Sequence, residues 1–282
     1  MAERLSAYYR VTPTGNGKPR PPWFSPQRAL RSFLAACARA GAPVDVAFVA
    51  DGGVPDELAR LVADSGPVLP VRGGSAAKSF RRLLDVATGR ETGDALVWFA
   101  EDDYVYRPEA LAQVLAAARQ LPQADLFGVY TPDNADWHRR HTSQPGLRPP
   151  EQRFDVGGQP WRRAWDSTST FGLRGAALRA DAGLLRLCSR AGGPWDHACL
   201  SAVQGVAPYP VSALHRDLFL RPSRASAGRV VSRPVLRAAV DVAARTRAPR
   251  TWVSPVVDLA THAEPGYVSA GTDWAALAAT YG

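Results

Sequence analysis

Residues 95–103 read ALVWFAEDD: six apolar residues, then three carboxylates in a row. A run this short and this apolar fits a strand buried on both faces of a parallel sheet. Its abrupt end places Glu101, Asp102 and Asp103 where the strand leaves the sheet. Three adjacent carboxylates repel one another, and burial raises their pKa values further. A hard divalent ion removes that cost, because Mg2+ takes one or two carboxylates together with phosphate oxygens and water. Side chains alternate along an extended segment, so Glu101 and Asp103 share a side. The plain alternative is a solvated turn whose acids favour the start of the next helix. The fully apolar strand before them argues for a ligand site instead.

Working outward, strand and helix alternate. LSAYYRV (5–11) reads as a first strand, followed by a Pro/Gly-rich loop. Ser25 then caps a helix with Pro26 in its first turn, and Leu30, Phe33, Leu34 and Cys37 form its apolar stripe. VDVAFVA (44–50) is a second strand ending at Asp51-Gly52-Gly53, with a helix from 55 to 63. PVLPV (67–71) is a third strand, and Arg72-Gly73-Gly74 leads into a helix over 75–86. Pro108 opens a helix to about Gln120, and 126–130 is a further strand. The alternation predicts an α/β fold with a mostly parallel central sheet flanked by helices. In such sheets ligands bind beyond the carboxyl ends of the strands. That gives Asp51, the Gly73-Gly74 turn and the acidic triplet one location.

The pattern changes after Tyr130. Residues 131–165 hold Pro, Trp, His and Arg with little periodicity and read as a long functional loop. A strand is expected over 168–173 and a helix over 176–187. Gly192-Gly193-Pro194 then leads into Trp195-Asp196-His197 and a short helix. The stretch 221–250 is basic, with an Ala/Val-rich helical part. The expected organisation is one compact domain with a nucleotide-binding half, 1–130, and an acceptor half with a closing segment, 131–282.

The 282 residues are 46% hydrophobic and 21% charged, which excludes disorder, collagen and coiled coil. No apolar run is long enough to span a bilayer, and the start reads as no secretory signal. Three cysteines without a CxxC pair point to a reducing, cytoplasmic setting. The net charge of +8 is almost entirely arginine, with Lys18 and Lys78 the only lysines. It comes with no recognition-helix, zinc-finger or RNP pattern, so a nucleic-acid partner is not expected. An anionic small ligand accounts for the excess equally well.

The acidic triplet after a fourth apolar strand, in this order of elements, resembles nucleotide-sugar glycosyltransferases of the GT-A fold, family 2 in style. The resemblance implies a Rossmann-like sheet, a UDP-type nucleoside-diphosphate sugar donor and inverting transfer to an acceptor hydroxyl. It implies that Asp103 holds Mn2+ or Mg2+ and that Glu101 or Asp102 contacts the ribose. It gives Asp51 to the nucleobase and makes His262, in the late segment Thr261-His262-Ala263-Glu264, a further metal ligand. Gly73 and Gly74, with Lys78 and Arg82 behind them at a helix start, suit a phosphate by their chemistry alone. In the family this loop lines the nucleotide. Asp196 falls where the family carries its catalytic acid and is the candidate base, with Asp166 second; an N-cap is its ordinary alternative. Trp161, Trp165 and Trp195, and Thr168 to Thr170, are candidates for the sugar or the core.

Two other readings compete. One is a sugar-phosphate nucleotidyltransferase, which a Gly-x-Gly-x-Arg/Lys loop after the first strand would mark; the sequence carries no such loop. The other is a non-catalytic module that uses residues 221–250 on an anionic surface, which leaves room for peripheral membrane contact.

Overall fold

Four parallel strands carry the first part of the chain. β1 (Leu5–Val11) lies between β2 (Val44–Asp51) and β4 (Leu96–Glu101), and β3 (Val68–Val71) pairs outside β2. Between them run α1 (Pro26–Ala38), α2 (Asp56–Ser65) and α3 (Ala76–Arg90). The computed structural model describes residues 4–13, 17–91, 93, 95–134, 151–165, 168–192, 195–209 and 227–282. Ser25 accepts a hydrogen bond from the Arg28 amide and Ser75 one from the Lys78 amide, so both helix starts are capped as their sequences indicate.

β5 (Tyr104–Tyr106), α4 (Ala110–Gln120), β6 (Leu126–Phe127) and a 3-10 turn at Pro132–Asn134 follow. Then come β7 (Arg153–Val156), β8 (Gln159–Arg163), β9 (Phe171–Arg174), α5 (Gly175–Ala191), α6 (Trp195–Val203) and α7 (Ala227–Thr246). β10 (Trp252–Pro255), β11 (Ala260–His262) and α8 (Trp274–Ala279) close the chain. The main sheet runs β3-β2-β1-β4-β9-β6-β10-β8-β7, and β11 pairs with β5 in a small second sheet. β9 is antiparallel to both β4 and β6, and β8 to both β10 and β7, whereas β10 and β6 are parallel.

Odd and even residues of β1 face opposite cores. Leu5, Ala7, Tyr9 and Val11 pack with Leu30, Phe33, Leu58 and Val62 of α1 and α2. Tyr8 packs with Phe80 and Leu84 of α3 and with Leu178 and Leu185 of α5. The sheet is therefore covered on both faces, which explains the near-continuous apolar runs. Gly172 of β9 is required by this packing, because a Cβ there would sit 2.8 Å from the Trp98 ring of β4.

Three expectations need correction. The segment 131–165 is not one loop: Arg153–Arg163 folds into the β7–β8 hairpin around Gly157-Gly158, whose φ angles are +58° and +83°. Residues 135–150 lie outside the described ones. The strand expected over 168–173 begins only at Phe171, and the one expected over 126–130 pairs only at Leu126–Phe127. Part of the basic stretch, 221–226, also lies outside the described residues. Among the described residues no helix is long and apolar enough to cross a membrane.

Candidate active site

The carboxyl ends of β1 and β4 are tied together by charge. Register puts Arg10 opposite Glu101, and the Arg10 guanidinium donates to the Glu101 carboxylate. Arg10 also donates to the Ala76 carbonyl, 3.3 Å away at the start of α3. Two residues on, the Thr12 amide and hydroxyl both donate to Asp102 Oδ2 at 2.9 Å. Glu101 and Asp102 are thus each held by the strand exit beside them.

Asp103 is held from the far end of the chain. β5 and β11 pair antiparallel with His262 opposite Tyr104, and the Ala263 amide donates to the Asp103 carbonyl at 2.9 Å. This brings His262 Nε2 to 3.0 Å from Asp103 Oδ2. The Tyr104 ring stacks on the imidazole, with centroids 5.0 Å apart and planes 12° from parallel. Arg20 donates to the same Asp103 oxygen at 2.9 Å and to the Ala263 carbonyl at 2.8 Å. Glu264 lies 3.7 Å from His262 Nε2 and 2.6 Å from Lys18 Nζ.

Asp51 ends β2 and accepts from the Gly73 amide at 2.6 Å and the Gly74 amide at 3.3 Å. It fixes the turn that opens α3. Gly73 is the only residue type that fits there: a Cβ would lie 2.6 Å from the Ser79 amide nitrogen and 2.7 Å from Asp51 Oδ2. Gly74 has φ +72°, which disfavours any other residue.

These groups surround one cleft of about 670 Å³. Arg10, Thr12, Asp51, Gly74, Glu101, Asp102, Asp103 and His262 line it, together with Thr168, Ser169, Trp195 and Asp196. Asp196 stands in the first turn of α6, and its Oδ1 accepts from the His197 amide at 2.9 Å. Gly73 lies behind the wall, through Asp51. Lys78 and Arg82 are exposed and do not line the cleft; Arg82 Nη1 lies 3.6 Å from Asp85. Trp195 packs on Phe80, Trp161 is fully buried, and Trp165 meets His197 edge-on. Asp166 lies outside the described residues.

The electrostatics separate the three acids. Burial pushes Glu101 up to about 7, against the pull of Arg10, with Asp103 and Asp196 raising it further. Burial and the neighbouring Asp103 also raise Asp102. Burial opposes ionisation of Asp103 as well, but His262 and Arg20 outweigh it and hold its carboxyl below the usual range. Burial lowers His262, and Asp103 more than reverses this, so its imidazole binds a proton more readily than usual.

The donor set meets the needs of a divalent ion in part. Among the described residues no three His, Cys, Asp or Glu side chains are grouped so as to hold a metal. Asp103 and His262 form a pair. Their 3.0 Å separation is about that of adjacent ligands in a six-coordinate ion with bonds of ~2.1 Å. Phosphate and water oxygens complete such a shell, as is usual for Mg2+, and an imidazole ligand favours Mn2+. The residues present therefore fit an ion that arrives with a phosphate-bearing ligand.

Arg10, Lys18 and Arg20 were not singled out from the sequence. Arg10 carried a readable signal: it is the one ionic residue of LSAYYRV, two places before the strand gives way to the Pro/Gly-rich loop. Lys18 and Arg20 sit in an aperiodic loop, where no pattern marks a side chain that reaches across 83 or more residues of sequence.

No protein-family model and no curated protein matches the sequence. Among solved structures, the chain is similar to S. aureus TarS 1–349, with 14% identity, a TM-score of 0.45, and coverage of 70% of this chain and 54% of that one. It thus spans about half of that structure's length. It is similar to a 4-diphosphocytidyl-2C-methyl-D-erythritol synthase, with 14% identity, a TM-score of 0.42, and coverage of 84% and 98%. It is also similar to glucosyl-3-phosphoglycerate synthase from Mycobacterium tuberculosis in complex with Mg2+ and uridine diphosphate. There the identity is 9%, the TM-score 0.36, and the coverage 64% of each chain.

Proposed function

We propose that this chain is a metal-dependent, inverting glycosyltransferase that moves a sugar from a nucleoside-diphosphate donor to an acceptor hydroxyl. The observation that carries the reading is the Asp103–His262 pair, 3.0 Å apart across 159 residues of sequence, in one cleft with Asp51, Glu101 and Asp196. The nucleoside lies along the strand exits of β1, β2 and β3, where Thr12, Asp51 and the Gly73-Gly74 turn present polar atoms. Asp102 or Glu101 takes the ribose hydroxyls. Asp103 and His262 hold Mn2+ or Mg2+, which when bound neutralises the diphosphate as it leaves. Asp196, which lines the same cleft, accepts the proton of the attacking acceptor hydroxyl. Thr168 and Ser169, which line the same cleft, orient the sugar.

One observation favours a second reading. Gly17-Lys18-Pro19-Arg20 follows β1; Arg20 reaches Asp103 and Lys18 reaches Glu264. A basic glycine-containing loop there would also suit the triphosphate of a nucleotidyltransferase. Product analysis separates the two. With Mn2+, a panel of nucleoside-diphosphate sugars should release nucleoside diphosphate, slowly to water and faster with an acceptor alcohol. Pyrophosphate formed from a nucleoside triphosphate and a sugar phosphate, with no turnover of any donor sugar, would replace the first reading by the second.

A further inference from the structure

We propose that Lys18 and Arg20 are the cations that meet the donor's diphosphate, and that they wait on Glu264 and Asp103 until a divalent ion displaces Arg20. The inference rests on the donor reading above and adds two residues and an order of events to it. Arg20, Asp103, His262, Glu264 and Lys18 form a continuous chain of polar contacts, at 2.9, 3.0, 3.7 and 2.6 Å. Asp103 Oδ2 already accepts from both Arg20 and His262. An ion shared by Asp103 and His262 would occupy that oxygen and repel the guanidinium beside it. Arg20 lies over the Phe24 ring, 5.2 Å from its centroid, and its side chain is largely buried. Displaced from Asp103 while it keeps the Ala263 carbonyl, its guanidinium exchanges that carboxylate for another anion. The diphosphate entering with the ion supplies one, and its paired oxygens match the guanidinium fork. Lys18 is half-exposed on a flexible stem, so its transfer from Glu264 to a phosphate costs little. Lys18 lines the main cleft and a neighbouring cleft of about 440 Å³, and Arg20 lines only the second. Lys18 thus joins the two clefts, both of which Asp102 and Asp103 also line.

The test uses the full chain and two probes: Mn2+ alone, followed by electron paramagnetic resonance of the unbound ion, and UDP, CDP, ADP, GDP and TDP at saturating Mn2+, by calorimetry. Arg20→Met should bind Mn2+ alone several-fold more tightly, because the competing cation is gone. It should bind the preferred diphosphate about tenfold more weakly, the usual size of one charge-assisted hydrogen bond. These opposite signs are the signature, and a loss of both together, as from a merely structural arginine, overturns the proposal. Lys18→Met, at an exposed position that leaves folding intact, should weaken the diphosphate alone; unchanged diphosphate affinity there also overturns it. A wild-type chain that binds none of the five diphosphates with Mn2+ refutes the donor reading itself. Wild-type binding matched by both variants refutes only the role of Lys18 and Arg20.

Discussion

Two clefts of similar volume open at opposite ends of the same strands, and they differ in how they hold charge. The amino-end cleft holds about 730 Å³ between Arg4, Tyr8, Asp45, Ser65, Arg90 and Glu91, and the carboxyl-end cleft about 670 Å³. At the amino end, the Arg4–Asp45 pair has side chains 63% and 54% exposed. Such a pair is worth at most about 1 kcal/mol. At the carboxyl end, the side chains of Arg10, Glu101 and Asp103 are 10%, 15% and 9% exposed. Burying ions costs several kcal/mol each, and mutual pairing offsets this only in part. A fold that accepts this cost at one end of its sheet and avoids it at the other has concentrated its electrostatic work at the strand exits.

Substitutions can break this contrast, and the largest effect is expected at Asp196. Asp196→Asn should leave diphosphate binding within about twofold and lower transfer ~10²–10⁴-fold, the usual worth of a general base. Unimpaired turnover would remove Asp196 from the proposed mechanism. Next comes Gly73→Ala, whose Cβ meets the Ser79 backbone. Forced overpacking of this kind costs about 1–3 kcal/mol. The melting temperature should fall and diphosphate binding weaken with it, because Asp51 and Ser75 are anchored to the same turn. A variant as stable as wild type would mean that the turn yields.

The third test is of pH. Glu101 has its carboxyl raised to about 7 from an ordinary 4.5. Between those values the folded protein holds a proton that the unfolded chain releases, so stability falls as pH rises. His262 acts in the same direction: its raised value stabilises the fold at low pH, and that contribution fades as pH climbs through it. Asp103 acts oppositely, and only in acid, where its lowered carboxyl is finally protonated. Thermal melts with a chelator should show wild-type stability declining from pH 5 to 7, and a shallower decline for Glu101→Gln. Parallel curves would mean that Glu101 titrates normally. The smallest effects should come from outside the cleft. Glu91→Gln at the amino end and Arg82→Ala on the exposed face of α3 should each change diphosphate affinity less than about twofold, as surface substitutions usually do. A tenfold loss for Arg82→Ala would bring that arginine back to the nucleotide.

The same contrast explains what could be read in the sequence. The parallel core was legible because strands buried on both faces leave continuous apolar runs, and AVLWF-type composition at 95–100 or 44–50 has few other fates. Asp51 and the acidic triplet were legible because acids end those runs. The β7–β8 hairpin was not: Arg153-Phe154-Asp155-Val156 and Gln159 to Arg163 are mostly polar, and pair at the sheet edge, where packing demands less. β5 and β11, three residues each, are too short for any period, although their pairing sets His262 beside Asp103. Arg20 and Lys18 stayed hidden for a similar reason, since a loop's reach is set by tertiary contacts and not by its own pattern.

The central claim is that Asp103 and His262 grip a divalent ion that holds a diphosphate. Calorimetric titration of the five nucleoside diphosphates into wild type and Asp103→Ala, with and without Mn2+, tests it most directly. The account predicts binding of at least one diphosphate by wild type only when Mn2+ is present, weakened about 100-fold or more, ~2.7 kcal/mol, in Asp103→Ala. Binding that is equally tight without the ion, or undiminished in the variant, would contradict it.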